Sequence, residues 1–239
     1  MKQVYLDQNI SVNDVICLDT KQAHHIFDVL RTTQKEKIRI ITKNSGVFFG
    51  HVENKPNLVI DSKVDVFQEN QSITLCCALI KQDKFEWMLQ KACELGVSKI
   101  VPFVSKNTIV KLDEKKVEKK LVRWNEILLA ATKQCNRNTL VELEPVTSLK
   151  DLSNFKSECN LVAYEKESDA SKHMAHYLKD DPQSITVCIG PEGGFKESEI
   201  QILNDFGYDN CSLGNNILRA ETAACYVLSA IEYQNHVEG

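Results

Sequence analysis

The pattern of apolar and polar positions changes character near residue 70. Before that point the chain reads as short strand-like runs, Gln3 to Leu6, Val15 to Leu18, Ile38 to Thr42, Val47 to Val52 and Val59 to Val66, separated by Asn, Asp, Gly and Pro. Such punctuation predicts a small β-barrel or sandwich. One helical segment, His24 to about Arg31, interrupts it. Beyond Gln71 apolar runs alternate with helical periodicity, which predicts an α/β domain around a mostly parallel sheet. The expected organisation is therefore a β domain over residues 1–70 and an α/β domain over residues 71–239.

Within the second region Ile73 to Ile80 is continuously apolar, as a strand covered on both faces must be. Phe85, Met88, Leu89, Ala92 and Leu95 follow at helical spacing, and Gly96 stands where a helix ends. Ile100 to Val104 is the next strand, with Pro102 pushing it toward an edge or an end. A long helix is predicted from Asp113 to about Arg137, its apolar stripe formed by Val117, Leu121, Trp124, Leu128, Ala131 and Cys135. Later strands are Leu161 to Tyr164, Ile185 to Gly190 and Cys211 to Leu213. Helices near Ser168 to Leu178 and Lys196 to Phe206 join them, and Glu221 to about Asn235 closes the chain.

Composition narrows the function classes. The 239 residues are 43% hydrophobic, enough for a full core, and the net charge of -4 argues against a protein that coats nucleic acid by bulk positive charge. A local basic face stays open. The nine cysteines are scattered without a C-x-x-C pair, so neither a zinc site nor a disulfide scaffold is expected. No apolar run is long enough to cross a bilayer, and the N-terminus lacks the layout of a signal peptide, which predicts a cytoplasmic protein.

Two loops carry the candidate chemistry. The apolar run Ile185 to Gly190 leads into Pro191-Glu192-Gly193-Gly194-Phe195, and Ser212-Leu213-Gly214 leads through Asn215 to Ala220 into Glu221-Thr222-Ala223. Ligands of open α/β sheets bind at such carboxyl ends of strands. Either loop alone is equally well read as a tight turn, whereas two in one domain predict a pocket. Neither matches a P-loop or a G-x-G-x-x-G fingerprint, which disfavours nucleotide hydrolysis and dinucleotide chemistry.

The two loops, with Leu213-Gly214-x-x-Ile217-Leu218-Arg219-x-Glu221-Thr222-Ala223 as the second motif, resemble the SPOUT class of methyltransferases, and within it the RsmE family. His24-x-x-x-x-Val29-Leu30-Arg31, Gln90-Lys91-Ala92-x-Glu94-Leu95-Gly96-Val97 with Pro102, and Gln134-Cys135-x-Arg137 extend the likeness over most of the chain. The resemblance implies an N-terminal PUA-like RNA-binding barrel and a C-terminal methyltransferase domain ending in a trefoil knot. It further implies S-adenosylmethionine as cofactor, a homodimer, and methylation of N3 of a uridine in 16S rRNA of the small ribosomal subunit. Ser105-Lys106-Asn107-Thr108 departs from the arginine of relatives, Val141 from a proline, and Gln34-Lys35-Glu36 from a glycine. The rival readings are a non-catalytic RNA-binding factor and a SPOUT enzyme acting on tRNA or another rRNA site.

Residue roles follow from that likeness. Gly190, Glu192, Gly194, Leu213, Gly214, Ile217, Leu218, Thr222 and Ala223 are expected to bind cofactor, with Gly190, Gly194 and Gly214 giving it room. Arg219, a permanent charge between backbone-rich segments, is expected to stabilise the uridine anion. Glu192, Glu221 and Glu165 are candidate bases. His24 reads as a structural or RNA-contacting residue, and Arg31, Lys35, Arg39 and Arg137 are expected RNA contacts, although these cations and the lysine-rich face of the long helix are equally well read as solvated charge. No metal is expected, since His24 and His25 have no third ligand at useful spacing.

Overall fold

The short N-terminal runs pair into a five-stranded mixed sheet in a computed structural model that describes residues 2–34, 36–42, 46–65, 71–108 and 114–237. Its strands are β1 (Gln3–Leu6), β2 (Val15–Cys17), β3 (Ile38–Thr42), β4 (Gly46–Asn54) and β5 (Asn57–Val64), in the order β1-β3-β4-β5-β2. β1 and β3 run parallel and the other pairs antiparallel. Ile26, Ile38, Ile40, Leu58 and Ile60 are wholly buried at the centre of this sheet's core. The expected single helix begins four residues early, as α1 (Thr20–Ala23), where Asp19 accepts the Gln22 N–H at 2.7 Å. It then widens into a π-helical stretch, His24–Val29. Such π turns recur at functional sites.

The remainder forms a seven-stranded sheet whose pairs are all parallel among the described residues. Its strands are β6 (Ser72–Ala78), β7 (Lys99–Val104), β8 (Glu142–Leu143), β9 (Thr147–Ser148), β10 (Cys159–Ala163), β11 (Ser184–Ile189) and β12 (Asp209–Cys211). Their order is β12-β10-β11-β6-β7, with β8 and β9 both on the outer side of β7. Alternate residues feed two cores, one on each face. Leu75, Leu161 and Val187 pack with α2 (Gln82–Glu94), α3 (Glu114–Gln134), α4 (Met174–Leu178) and α6 (Ala220–Val237). Cys76, Val162 and Cys188 pack with α5 (Glu197–Asp205) and a 3-10 turn, Leu149–Phe155.

Pro102 shows why β7 tolerates a residue without an N–H. β8 pairs with Lys99 and Ile100, β9 pairs with Phe103 and Val104, and Pro102 falls in the gap between them. α2 ends at a left-handed Gly96 (φ +88°), and α3 buries Trp124, Leu128 and Ala131, with the Trp124 ring 4.6 Å from that of Phe85. α3 stops three residues short of the expected Arg137, because Asn136 turns left-handed (φ +58°). β12 also ends at Cys211, two residues before the expected Leu213.

The chain forms two compact units, Met1–Gln68 with Asn136–Leu140, and Glu69–Cys135 with Val141–Gly239. Arg39 draws the 136–140 segment into the first unit: its guanidinium donates to the Arg137 carbonyl at 3.4 Å, to Asn138, and to Gln3 at 3.1 Å. Among the described residues no helix is long and apolar enough to cross a membrane.

Candidate functional site

β12, β10 and β11 are neighbours and parallel, so the loops that leave their carboxyl ends emerge side by side. Together they enclose a cavity of about 450 Å³ lined by 163–165, 189–195 and 212–220. That volume is ordinary for a small-molecule site. Spacing pointed to the second and third of these loops. The first was named only through Glu165 as a candidate base, its place as a wall and Tyr164 being missed, and only the strand order reveals that β10 lies between β11 and β12.

The glycines serve different ends. A Cβ on Gly190 would meet the Phe195 ring at 3.0 Å, so its bareness makes room for that buried ring, which stacks parallel to Phe103 with centroids 6.2 Å apart. Gly194 is left-handed (φ +66°), and a Cβ there would stand 2.6 Å from Glu165 Oε1. Gly214 is also left-handed (φ +120°) and faces open space. Of the three, Gly214 alone leaves free room beside the cavity.

Leu213 and Leu218 line the cavity and lean on the core behind it, while Ile217 is 80% exposed at its rim. Ala223 is buried and its N–H donates to the Arg219 carbonyl at 2.7 Å, so neither it nor the exposed Thr222 forms part of the lining. Arg219 lines the cavity with an exposed guanidinium that makes no hydrogen bond or ion pair among the described residues. Glu165 likewise lines it with an unpartnered carboxylate. Glu192 lines it too, but one oxygen accepts the Lys81 N–H at 3.3 Å and so caps α2. Glu221 stands behind the wall, its Oε1 3.4 Å from Lys84 Nζ and its Oε2 buried without a partner.

The cysteines near these strands offer no nucleophile. Burial pushes the Cys159 thiol up to about 11 and Cys211 up to about 12, and holds the Cys188 thiol well above the usual range. Among the described residues no three His, Cys, Asp or Glu side chains converge as metal ligands.

In the first unit His24 is exposed, its Nδ1 3.0 Å from Asp28, whose carboxyl the Lys55 ammonium and then His24 hold below the usual range. Arg31 is exposed in a left-handed conformation (φ +49°), which is strained for a long side chain. Lys35 lies outside the described residues. Arg39 and Arg137 are buried, and Arg39's bonds to Gln3 and the 137–138 backbone and side chain occupy it as a clamp. On α3, Arg123 is taken up by a two-pronged ion pair with Glu86, both bonds at 2.8 Å.

The comparisons with known proteins agree with this geometry. The RNA methyltransferase domain family matches residues 68–232, and the RNA methyltransferase PUA domain family matches residues 18–61. Ribosomal RNA small subunit methyltransferase E of Bacillus subtilis is 32% identical over 96% of this chain and 94% of that relative. Its namesake in Mesomycoplasma hyopneumoniae is 37% identical over 74% and 75%. The solved structure of ribosomal RNA small subunit methyltransferase E from Neisseria gonorrhoeae, bound to S-adenosyl methionine, superposes with a TM-score of 0.84 at 28% identity, covering 97% of each chain. With both domain matches and a likeness to such relatives along nearly its full length, the chain belongs to the ribosomal RNA small subunit methyltransferase E family.

Proposed function

We propose that this protein transfers a methyl group from S-adenosylmethionine to N3 of a uridine in the 16S rRNA of the small ribosomal subunit. The observation that carries it is the single cavity shared by both glycine loops with the unpaired guanidinium of Arg219 in its wall. The cavity fits the cofactor: its volume suits a nucleoside-sized molecule, and Leu213, Gly214 and Leu218 offer backbone and apolar surface for an adenosine. The cofactor supplies an electrophilic methyl carbon on a positively charged sulfur.

The protein's own residues must then make N3 a nucleophile. That nitrogen carries a proton at neutral pH, so a base has to accept it as the N3–C bond forms. Glu165 is the best placed of the three carboxylates, because it lines the cavity with both oxygens unengaged, while Glu192 caps α2 and Glu221 pairs with Lys84. Arg219 spreads its charge over the uridine oxygens as negative charge builds on the ring. Glu165→Gln is expected to slow turnover about a hundredfold and Glu221→Gln less than about tenfold. Rates measured at saturating substrates in the opposite order would move the base to Glu221.

His24 at the exposed start of the π-helical stretch and Arg31, two residues past its end, are the proposed RNA contacts of the PUA unit. Arg39 and Arg137 are assigned instead to holding the 136–140 segment. A C-terminal knot and a homodimer complete the reading. In support, α6 packs back against β11 and α2 after the second loop, and Trp87 and Tyr226 on those two helices stay exposed. A partner bound to ribosomal subunits works in the cytoplasm.

Two measurements test the proposal. Calorimetry should detect S-adenosylmethionine binding; its absence would leave a non-catalytic RNA-binding factor. Mapping modified nucleotides in a strain that lacks the protein should show loss of one methyluridine in 16S rRNA, and a fully methylated small subunit would redirect the search to tRNA or other rRNA.

A further inference from the structure

Among the described residues of the loop that follows β7, 105–108, none lines the cavity, yet they are fastened to a loop that does. Asn107 donates its side-chain amide to the Gly193 carbonyl at 3.1 Å and to the Gly194 carbonyl at 3.0 Å. Two carbonyl partners fix which way the amide points, since only its nitrogen carries protons. The contact is close as well as polar: a Cβ on Gly193 would stand 3.2 Å from the Asn107 Cβ. Both glycines line the cavity, and Asn107 does not.

Asn107 is itself held from below. Ser105 and Thr108 close a turn around it, Ser105 N donating to Thr108 Oγ1 at 2.9 Å and Thr108 N to the Ser105 carbonyl at 3.0 Å. The carboxylate of Glu199, only 2% exposed, accepts the Lys106 N–H at 2.8 Å, the Ser105 hydroxyl at 3.3 Å and the Lys196 N–H at 3.0 Å. Glu199 sits in the first turn of α5, the helix that leaves the glycine loop, where free amides favour a negative charge. A buried carboxylate with three donors is a rigid joint, because losing any one leaves a charge short of partners in the interior.

We infer that Asn107, seated on Glu199, is a positioning residue for the cofactor: it fixes the Gly193–Gly194 turn in the shape that binds S-adenosylmethionine. This rests on the proposed function and adds to it. Among the described residues that turn is otherwise tied by the Gly194 N–H, which donates to the Pro191 carbonyl at 2.9 Å, and by the Glu192 carboxylate, which accepts the Lys81 N–H at 3.3 Å. Without Asn107 the Gly193 and Gly194 carbonyls lose their side-chain donor, and that end of the turn samples other shapes. Cofactor affinity then falls by the fraction of time spent in them.

The test compares the parent protein with Asn107→Ala and Asn107→Asp. The aspartate keeps the size of the side chain and its packing on Gly193 but replaces both donors with acceptors that face two carbonyls. Calorimetry with S-adenosylmethionine should show binding weakened about tenfold in Asn107→Ala and more in Asn107→Asp. KM for the cofactor should rise in step while kcat at saturation stays within about twofold of the parent. Melting temperatures near the parent's will show that the fold survives. Unchanged affinity in a folded Asn107→Asp, or a fall in kcat with KM unmoved, overturns the inference while leaving the methyltransferase reading intact. A parent that binds no S-adenosylmethionine removes both.

Discussion

Arg219→Ala is expected to lower methyl transfer by about a hundredfold to a thousandfold while changing S-adenosylmethionine affinity less than about threefold. The expectation comes from how the residue is held. Its backbone is fixed, because its carbonyl accepts the Ala223 N–H at 2.7 Å in the first turn of α6, yet its guanidinium has no partner among the described residues. An arginine left unpaired in a cavity wall can turn to negative charge that develops in front of it without first breaking an ion pair. Arg219→Lys should recover part of the rate, because it keeps the charge and loses the planar fork. Single-turnover rates and calorimetry on the same preparations decide it. Equal losses in rate and cofactor affinity would make Arg219 a cofactor ligand instead.

How much of this was readable beforehand depends on the range over which each feature is determined. β3 was bounded correctly at Ile38 and Thr42, and the apolar stripe of α3 at Trp124, Leu128 and Ala131, because burial repeats with the period of the element itself. The π-helical stretch after α1 was not visible, since one inserted residue shifts the apolar face without erasing it. β8 and β9, two residues each, are too short to carry any period. The PUA and methyltransferase pairing expected from the motifs is matched by both family comparisons.

The site divides in the same way. Both glycine loops were legible because each is a local strand-to-turn signal, and they do line one cavity. Of the third wall only Glu165 was named, as a candidate base, because the rest needs the neighbour order of β12, β10 and β11. Gly190 was expected to give the cofactor room, yet its space goes to Phe195, five residues away. Arg39 read as a surface cation, but partners as distant in sequence as Arg137 and Asn138 bury it. Glu199 is the extreme case: a charged residue in a helix's first turn reads as surface until the backbone of Lys106 appears beside it. Buried polar groups are specified by partners far along the chain, and periodicity carries no trace of them.

Gly50→Ala should be the most damaging small substitution in the first unit. Gly50 lies on β4 at a register shift against β5, and the added methyl carbon would stand 2.3 Å from the Val59 carbonyl oxygen and 2.7 Å from Ile40 Cδ1. The first neighbour is backbone of the paired strand and the second is part of a wholly buried side chain, so neither gives way without opening the ladder. A cost of about 3 kcal/mol or more follows, a large share of what a domain of this size possesses. Among the described residues the lining of the cavity comes from the second unit, so the substitution separates the two halves of the proposed activity. Calorimetric melting should show an early transition absent from the parent, with S-adenosylmethionine affinity retained and affinity for small-subunit rRNA lost. Retained rRNA affinity in a protein with a melted first unit would transfer RNA holding to the methyltransferase unit, with the exposed lysines of α3, Lys116 and Lys119, as the first residues to examine.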